Sequence, residues 1–255
     1  MAKTKPTIIH KLAIIFVLAF LLSALFYYLY DRYVYHPDVK YYKDFGIRIP
    51  ENYQIHGIDV STYQNSIHWD AVKKMKSNQV KIGFAFMRAT MGCQKKDGYF
   101  NKNWDESKSA NIPRGAYHYF YCNQNSRLQA YNFIKNVELS SGDLPPVLDI
   151  EEINDVSEDK FKKQVKEWLK IIEEHYHVKP IIYTYTKFYE KYLSNDFDDY
   201  PFWIAHYNRN NHPSTSRHWH FWQHNESGHV NGINAKVDFN VFNGDSAAFN
   251  NILLK

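Results

Sequence analysis

Cysteine is scarce in this chain, and blocks of a single charge are absent from it. With 2 cysteines among 255 residues, the sequence has neither a disulfide framework nor the paired cysteines of a zinc ribbon. Lysine and arginine number 31 against 27 acidic residues, a net charge of +4. No basic block accompanies a groove-reading motif, so we expect no nucleic acid partner. Aromatic residues make up 17% of the chain, which excludes a disordered polymer.

One long apolar run is present, near the N-terminus. Residues 12–30 read LAIIFVLAFLLSALFYYLY, and as a helix they would be about 28 Å long, enough to cross a bilayer core. Lys3, Lys5 and Lys11 precede the run, so the positive-inside rule predicts a cytoplasmic N-terminus and export of the rest. We favour an uncleaved signal anchor over a cleaved signal peptide, because the run is long and no clean small-x-small site follows it.

Four segments are therefore predicted. Residues 1–11 form the cytoplasmic N-terminus and residues 12–30 the transmembrane anchor. Residues 31–52 lack a sustained period and contain Pro37 and Pro50, so they are interpreted as a stalk, or as an arm packed on the domain. Residues 53–255 form a folded domain outside the cytoplasm, in the periplasm or at the cell surface. We expect this membrane-anchored protein to be monomeric.

Short apolar runs alternate with helical patterns from Tyr53 onward. Several runs are apolar on both faces, as expected for parallel strands buried between layers. The clearest helix follows Ser157 and stops before Pro180. The first five strands are separated by roughly 20 to 30 residues and the last three by about a dozen. The predicted fold is α/β, a TIM-like barrel with five β/α units followed by three strands with reduced helices. The predicted strands are Ile55–Val60, Ile82–Arg88, Gly115–Phe120, Pro146–Glu151, Ile181–Tyr185, Phe202–His206, Trp219–His224 and Val237–Phe242.

Acidic residues stand near the strand ends, where a barrel of this kind carries its active site. Asp59 ends the first strand, Asp149 and Glu151 end the fourth, and Asp238 lies on the eighth. Side chains alternate along a strand, so Asp149 and Glu151 point the same way, with Cα atoms about 6.5 Å apart. The eighth strand closes against the first, which brings Asp238 towards Asp59. The sequence thus predicts a cup with acids on two sides.

This arrangement suits glycoside hydrolysis, which uses one protonated carboxyl and one ionised carboxylate. Crowded carboxylates supply both states because like charges raise one pKa. Aromatic rings near the strand ends can stack on sugar faces, although any single one is more often part of a barrel core. His118, His206 and His224 also lie near strand ends. No paired histidine motif is present, so neither a metal nor a cofactor is predicted. The rings are Tyr63, Tyr117, Tyr119, Tyr183, Tyr185, Trp203, Tyr207 and Trp222.

In their order and spacing, the motifs resemble those of the glycoside hydrolase family 25 lysozymes, or N-acetylmuramidases. The similarity runs from about His56 to Gly244. It implies a five-plus-three barrel that cleaves the β-1,4 bond between N-acetylmuramic acid and N-acetylglucosamine in peptidoglycan. The motifs are His56–Gln64, Phe86–Gly92, Gly115–Phe120, Asp149–Glu151, Pro180–Tyr185, Phe202–Tyr207, Trp222–His224 and Val237–Asn240.

The resemblance also implies roles for single residues. Glu151 matches the general acid, Asp149 matches its assisting partner, and Asp59 and Asp238 match further acids of the groove. Asp238 has a second interpretation, in which it orients a neighbour or holds Arg88. The implied substrate-binding residues are Tyr63, Gln64, Arg88, Tyr117, Tyr119, Tyr183, Trp203, Tyr207 and Gln223.

Two positions depart from the family pattern. Asn65 stands where the family usually has glycine, and Met91 stands where it usually has glutamate. The second change removes a carboxylate from the groove. We expect catalysis to survive, because the Asp149-x-Glu151 pair is intact, and subsite preference to differ.

Three alternatives remain open at this stage. The acids could be ion-paired structural groups in a non-catalytic glycan-binding barrel, or the enzyme could hydrolyse another N-acetylated polymer such as chitin. Cys93 and Cys122 each follow a predicted strand end in adjacent barrel positions. An exported domain permits a disulfide between them that contributes about 3–4 kcal/mol, and two free thiols are the alternative.

Overall fold

A computed structural model describes residues 8–33, 39–207, 211–215 and 217–255. The chain divides into a unit up to Val39 and a larger unit from Lys40 onward. The first unit contains helix α1 (Ile8–Tyr33), which includes the predicted run 12–30. Its segment Ile8–Tyr30 has a mean hydropathy of 2.6 and is long enough to cross a membrane, properties that signal sequences share. Lys3 and Lys5 lie outside the described residues.

The larger unit is a closed barrel of eight strands. They are β1 (Ile55–Val60), β2 (Val80–Met91), β3 (Arg114–Tyr119), β4 (Val147–Asp149), β5 (Ile181–Tyr185), β6 (Phe202–Ala205), β7 (Phe221–Gly228) and β8 (Val237–Phe242). Each overlaps a predicted strand. From β1 to β7 every neighbouring pair is parallel, and β8 closes the barrel against β1. The predicted barrel is confirmed.

Helices follow the first strands as the five-plus-three pattern predicts. Helices α2 (Trp69–Lys74), α3 (Phe100–Ser109), α4 (Ser126–Asn136) and α5 (Glu158–Tyr176) follow β1 to β4 in turn. After β5 comes the short helix α6 (Thr186–Phe188), which continues into a π-helical turn over Tyr189–Leu193. The described residues between β6 and β8 contain no helix, and α7 (Ser246–Ile252) follows β8.

Helix α5 shows why the clearest prediction was correct. Ser157 caps its N-terminus by accepting a hydrogen bond from the Lys160 backbone N–H, and Glu158 and Asp159 in the first turn complement the helix dipole. The apolar stripe is buried against the barrel, as its helical spacing requires. Its members are Phe161, Val165, Trp168, Leu169 and Ile172.

Strand β8 departs from the expected parallel pattern. It is antiparallel to both β7 and β1, because residues 229–236 between β7 and β8 are too few for a crossover and form a hairpin connection. The start of β8 therefore lies at the same end of the barrel as the carboxyl ends of the other strands. We call this end the mouth and the opposite end the floor. Asp238 faces Asp59 in the β8–β1 register.

The floor is filled by aromatic rings. Phe84 and Phe86 on β2 are fully buried, and their ring centroids lie 5.6 Å apart. Glycines on the adjacent strands leave room for them. A Cβ on Gly57 would lie 2.4 Å from the Phe84 ring, and one on Gly115 would lie 2.5 Å from the Phe86 ring. Larger residues at either glycine would displace a ring, so these glycines are required by packing.

Residues 40–52 form an arm on the barrel rather than a stalk. Strands Val39–Tyr42 and Ile47–Pro50 pair as a hairpin. At its turn the Phe45 ring packs 5.3 Å from the Phe239 ring, and the Phe45 carbonyl accepts a hydrogen bond from the His229 N–H. The compact unit that contains the barrel thus includes this arm from Lys40 onward. Residues 34–38 of the predicted stalk lie outside the described residues.

The two cysteines are free thiols in this structure, the second of the two alternatives that the sequence left open. The Cys93 Sγ lies 3.6 Å from the Asn125 carbonyl oxygen, and the Cys122 Sγ donates to the Glu152 carbonyl oxygen at 3.0 Å. Each thiol thus contacts the backbone of a nearby loop instead of the other thiol. Burial, reinforced by the charge of Glu152, raises the pKa of Cys122 to about 12, which keeps it protonated.

Candidate active site

A cavity of about 550 Å³ opens at the mouth of the barrel. The structure brings into it all four predicted acids and all nine predicted substrate-binding residues. Six further residues line the cavity. Five of them were not predicted as site residues, and Met91 was noted only as a departure from the family pattern. The thirteen predicted residues are Asp59, Tyr63, Gln64, Arg88, Tyr117, Tyr119, Asp149, Glu151, Tyr183, Trp203, Tyr207, Gln223 and Asp238; the other six are Val60, Ser61, Met91, Tyr121, Glu226 and Lys236.

Asp149 and Glu151 form a hydrogen-bonded pair on one wall. Strand β4 ends at Asp149, but the Ile150 N–H still donates to the Tyr183 carbonyl. The extended backbone therefore continues, and alternation turns Glu151 to the cleft. Burial raises the pKa of both carboxyls, and the charge of Glu151 raises that of Asp149 further. A pair of this kind titrates as a unit and shares a proton.

Asp59 and Asp238 form a second carboxyl pair. Asp59 is buried, and its Oδ2 accepts hydrogen bonds from Gln223 Nε2 at 2.8 Å and Asn240 Nδ2 at 2.7 Å. Burial raises the pKa of Asp59 to about 6. Burial and the adjacent Asp59 charge raise the pKa of Asp238 to about 8. At neutral pH, Asp238 therefore keeps its proton and donates it in a hydrogen bond to Asp59.

Tyrosine hydroxyls continue this network to the rim. Tyr183 and Tyr207 donate to Gln223 Oε1 at 2.8 and 2.6 Å, and the Gln223 amide donates in turn to Asp59. Trp203 lies below them, stacked on Phe86 with ring centroids 4.4 Å apart. The Trp203 ring therefore separates the acid-lined mouth from the aromatic floor.

Asn240 was missed by the sequence reasoning, although a signal for it exists. It lies two positions after Asp238 on β8, so alternation places both side chains on the inner face. Its Nδ2 donates to Asp59 and its Oδ1 accepts from Trp203 Nε1 at 2.8 Å. One amide thus fixes both a cleft acid and the ring beneath it.

Arg88 is held by Asp97, and the interpretation that Asp238 holds it is wrong. Arg88 Nε lies 3.1 Å from Asp97 Oδ2, which also accepts from the Thr62 N–H at 2.8 Å. Asp97 follows β2 in a loop, nine residues beyond Arg88, so no strand pattern could indicate it. The Arg88 guanidinium lies 5.7 Å from the centre of the exposed Tyr63 ring.

Gln64 lines the cleft, but its amide group is bonded to the backbone. Its Oε1 accepts from the Ser61 N–H at 2.9 Å and its Nε2 donates to the Lys236 carbonyl at 2.8 Å. The first bond completes a capping box with the Ser61 side chain. Gln64 therefore ties the turn after β1 to the loop before β8.

One of the histidines near the strand ends, His118, has a packing role. His118 is buried on the outer side of β3, with Nδ1 2.7 Å from Thr90 Oγ1 and its ring stacked on Trp168 of α5. Within the described ranges, no group of three or more His, Cys, Asp or Glu side chains is arranged to hold a metal ion.

Comparison with known proteins gives consistent relationships. Residues 58–233 match the family model of glycosyl hydrolases family 25. The chain is 46% identical over 202 residues to the uncharacterized protein YegX of Escherichia coli strain K12, spanning 79% of this chain and 74% of that protein. It is 33% identical over 209 residues to lysozyme M1 of Streptomyces globisporus, spanning 76% of this chain and 69% of that one.

A solved structure agrees with the sequence relatives. The family 25 glycosyl hydrolase from Bacillus anthracis superposes with a TM-score of 0.73 at 32% identity, covering 81% of this chain and 96% of that one. The matched family segment contains three of the four predicted acids and the barrel from the last residues of β1 to β7. The chain therefore belongs to glycosyl hydrolases family 25, and it is a glycoside hydrolase of the lysozyme type.

Proposed function

We propose that this enzyme hydrolyses peptidoglycan at the β-1,4 bond between N-acetylmuramic acid and N-acetylglucosamine, with Glu151 as general acid and Asp149 assisting. The observation that carries the proposal is the hydrogen-bonded Asp149–Glu151 pair, both of whose pKa values are raised, in the cavity at the barrel mouth. A raised pKa favours the protonated form of a carboxyl, and a protonated carboxyl can donate its proton to a leaving oxygen, as this reaction requires.

The two members of the pair have different positions and so different roles. Asp149 is 5% exposed, whereas Glu151 is half-buried at the cavity. Glu151 is therefore the member that a glycosidic oxygen can reach. It gives the proton that the pair shares to that oxygen as the C–O bond breaks, which leaves Asp149 ionised to stabilise the positive charge at the anomeric carbon. One water supplies its oxygen to the anomeric carbon and its proton to the pair.

The opposite wall completes the cleft. Asp59 carries a negative charge, and hydrogen bonds from Gln223 and Asn240 orient its carboxylate. We therefore assign Asp59 and Asp238 to the charge environment of the reacting sugar. The rings of Tyr63, Tyr117, Tyr119 and Tyr207 line the same cavity and supply stacking surfaces and hydroxyls for glycan recognition. Peptidoglycan is thus the proposed partner, with no cofactor.

The apolar helix supports a proposal for where in the cell the enzyme lies. Helix α1 is long enough to cross a membrane, and its side chains from Ile8 to Tyr30 are exposed to the surroundings. We assign it as a signal anchor with a cytoplasmic N-terminus, which leaves the barrel on the side where the cell wall lies. A monomeric barrel tethered in this way reaches wall close to the membrane.

Replacing the general acid tests the assignment. We expect Glu151→Gln to lower kcat on a peptidoglycan suspension by about 10²- to 10⁴-fold, because the amide cannot donate a proton to the leaving oxygen. Glu152→Gln is the matched control, since the adjacent Glu152 is exposed and does not line the cavity. Equal clearance by wild type and Glu151→Gln would refute the acid assignment.

The bond and polymer are tested by the products. Mass spectrometry of the released fragments should show reducing-end N-acetylmuramic acid. Reducing-end N-acetylglucosamine would move the cleavage to the other linkage. Release of fragments from chitin, with none from peptidoglycan, would replace the substrate.

A further inference from the structure

A buried ion pair lies beside the cleft, outside the four acids. Asp97 is 8% exposed, and its two oxygens accept three hydrogen bonds. Oδ2 accepts from the Thr62 N–H and from Arg88 Nε, and Oδ1 accepts from the Tyr99 N–H at 3.0 Å. The carboxylate thus joins the turn after β1, the end of β2 and the start of α3.

This anchorage leaves part of Arg88 available to the cleft. Nε makes the hydrogen bond to Asp97, and among the described residues Nη1 and Nη2 have no hydrogen-bonded acceptor. The guanidinium lies over the Tyr63 ring and lines the cavity. Held at one edge and backed by a ring, it presents a fork of donors, the geometry that binds a carboxylate in a bidentate manner.

The charges around Arg88 make this fork distinctive. Arg88 and Lys236 are the cationic side chains that line the cavity in the described part of the chain, against five acidic ones. Met91 lines the cavity from the same strand as Arg88. A carboxylate at position 91 would add a negative charge to the cavity, and the thioether does not.

We propose that Asp97 is a positioning residue that holds Arg88 as a receptor for a carboxylate of the glycan substrate. The inference rests on the proposed function, because peptidoglycan is the substrate class that supplies such groups. They are the carboxylates of the stem peptide and, where the peptide has been removed, the lactyl carboxylate of muramic acid.

A matched control exists elsewhere in the barrel. Arg114 and Asp143 form a second buried pair, with Nε 2.8 Å from Oδ1 and both side chains 5% exposed. Neither residue lines the cleft. Asp143→Asn therefore removes a buried ion pair of the same type with no route to the substrate.

The experiment compares three soluble forms of peptidoglycan strands. One form carries intact stem peptides, the second has every carboxylate converted to an amide, and the third has the peptides removed by an amidase so that the lactyl carboxylates are free. KM and kcat are measured on each for wild type, Arg88→Gln, Asp97→Asn, Asp143→Asn, Met91→Glu and Met91→Gln. The melting temperature of each variant is recorded.

For wild type we expect KM to rise about tenfold on the amidated strands, with kcat nearly unchanged, because a charge-assisted contact to bound substrate is lost. Arg88→Gln should show the same high KM on intact and amidated strands. The measured ratio is KM on amidated strands divided by KM on intact strands. Asp97→Asn and Met91→Glu should reduce this ratio below the wild-type value, whereas Asp143→Asn should lower the melting temperature and keep the ratio. Met91→Gln should also keep it.

The third substrate separates the two sources of carboxylate. A wild-type KM that is low only on amidase-treated strands assigns the receptor to the lactyl group, and one that is low only on intact strands assigns it to the peptide. A low KM on both forms assigns it to carboxylates of either source. The inference is overturned if wild type degrades all three forms with the same KM. It is also overturned if Asp97→Asn folds and keeps the full ratio. Absence of reducing-end muramic acid would instead refute the proposed function.

Discussion

The two ends of the barrel interior occupy alternating positions of the same strands, yet they hold opposite chemistry. On β2, Phe84 and Phe86 fill the floor and Arg88 reaches the mouth. On β4, Val147 lies at the floor and Asp149 at the mouth. A shift of two residues along a strand therefore separates packing from catalysis. The floor supplies stability, whereas the mouth holds acidic groups whose burial does not stabilise the folded state.

The physical basis is the free energy of burial. Apolar rings gain by leaving water, whereas a buried carboxyl is destabilising unless it is neutralised or hydrogen-bonded. At the mouth the acids keep protons or accept amide hydrogen bonds, which limits that destabilisation. Some remaining destabilisation is expected at a site that serves a reaction and not stability.

Truncating the floor should have the largest effect on stability. Phe86 is fully buried and stacks on Trp203. We expect Phe86→Ala to lower the free energy of unfolding by about 3–5 kcal/mol, because the surrounding rings cannot fill the cavity. Urea denaturation measures it, with Phe86→Leu as the milder control. A loss below about 1 kcal/mol would contradict the stabilising role of the floor.

Neutralising an acid at the mouth should instead raise the free energy of unfolding. In Asp238 the folded-state pKa of about 8 lies above the unfolded value of 3.8. Its protonated form therefore adds stability below pH 3.8, and this contribution is lost as the pH rises towards 8. We expect Asp238→Asn to be more stable than wild type by roughly 1–2 kcal/mol at pH 8, because the amide needs no proton to donate to Asp59.

Urea denaturation at two pH values checks the sign. The gain from Asp238→Asn should shrink to near zero at pH 4, where the unfolded carboxyl is largely protonated as well. A gain that is equal at both pH values would show that Asp238 acts through packing and not through its proton.

The smallest effect on stability is expected at the rim. Tyr63 is 75% exposed, so Tyr63→Ala should change the free energy of unfolding by less than about 0.5 kcal/mol. KM should rise several-fold, because the ring that backs Arg88 and faces the cleft is removed. Tyr41, which is 59% exposed and does not line the cleft, provides the control Tyr41→Ala. A substantial loss of stability in Tyr63→Ala would show that side chains at the rim also stabilise the fold.

The sequence predicted those parts of the fold that follow from local periodicity. All eight strands, the helix after Ser157 and the inward faces of Asp149 and Glu151 depend on alternation or helical spacing, which a single chain displays. Helix α3 was expected from the five β/α units but its position was not predicted, because it carries polar side chains such as Asn103 among its buried residues and so lacks an apolar stripe.

Long-range contacts account for what the sequence could not show. The Asp97–Arg88 bond, the packing of Phe45 on Phe239 and the direction of β8 depend on where loops lie in the folded chain. None of them leaves a periodic signal. Cys93 and Cys122 are a similar case, since adjacent strand ends bring cysteines near each other without setting the direction of each thiol.

The hydrogen bonds of Asp59 have a consequence for how the enzyme is made. The residues that orient it, Gln223 and Asn240, lie 164 and 181 positions further along the chain. A ribosome must therefore add 181 residues after Asp59 before this carboxylate can acquire both partners. A prematurely terminated polypeptide that ends before β8 would have Glu151 in its sequence and still lack a finished catalytic wall.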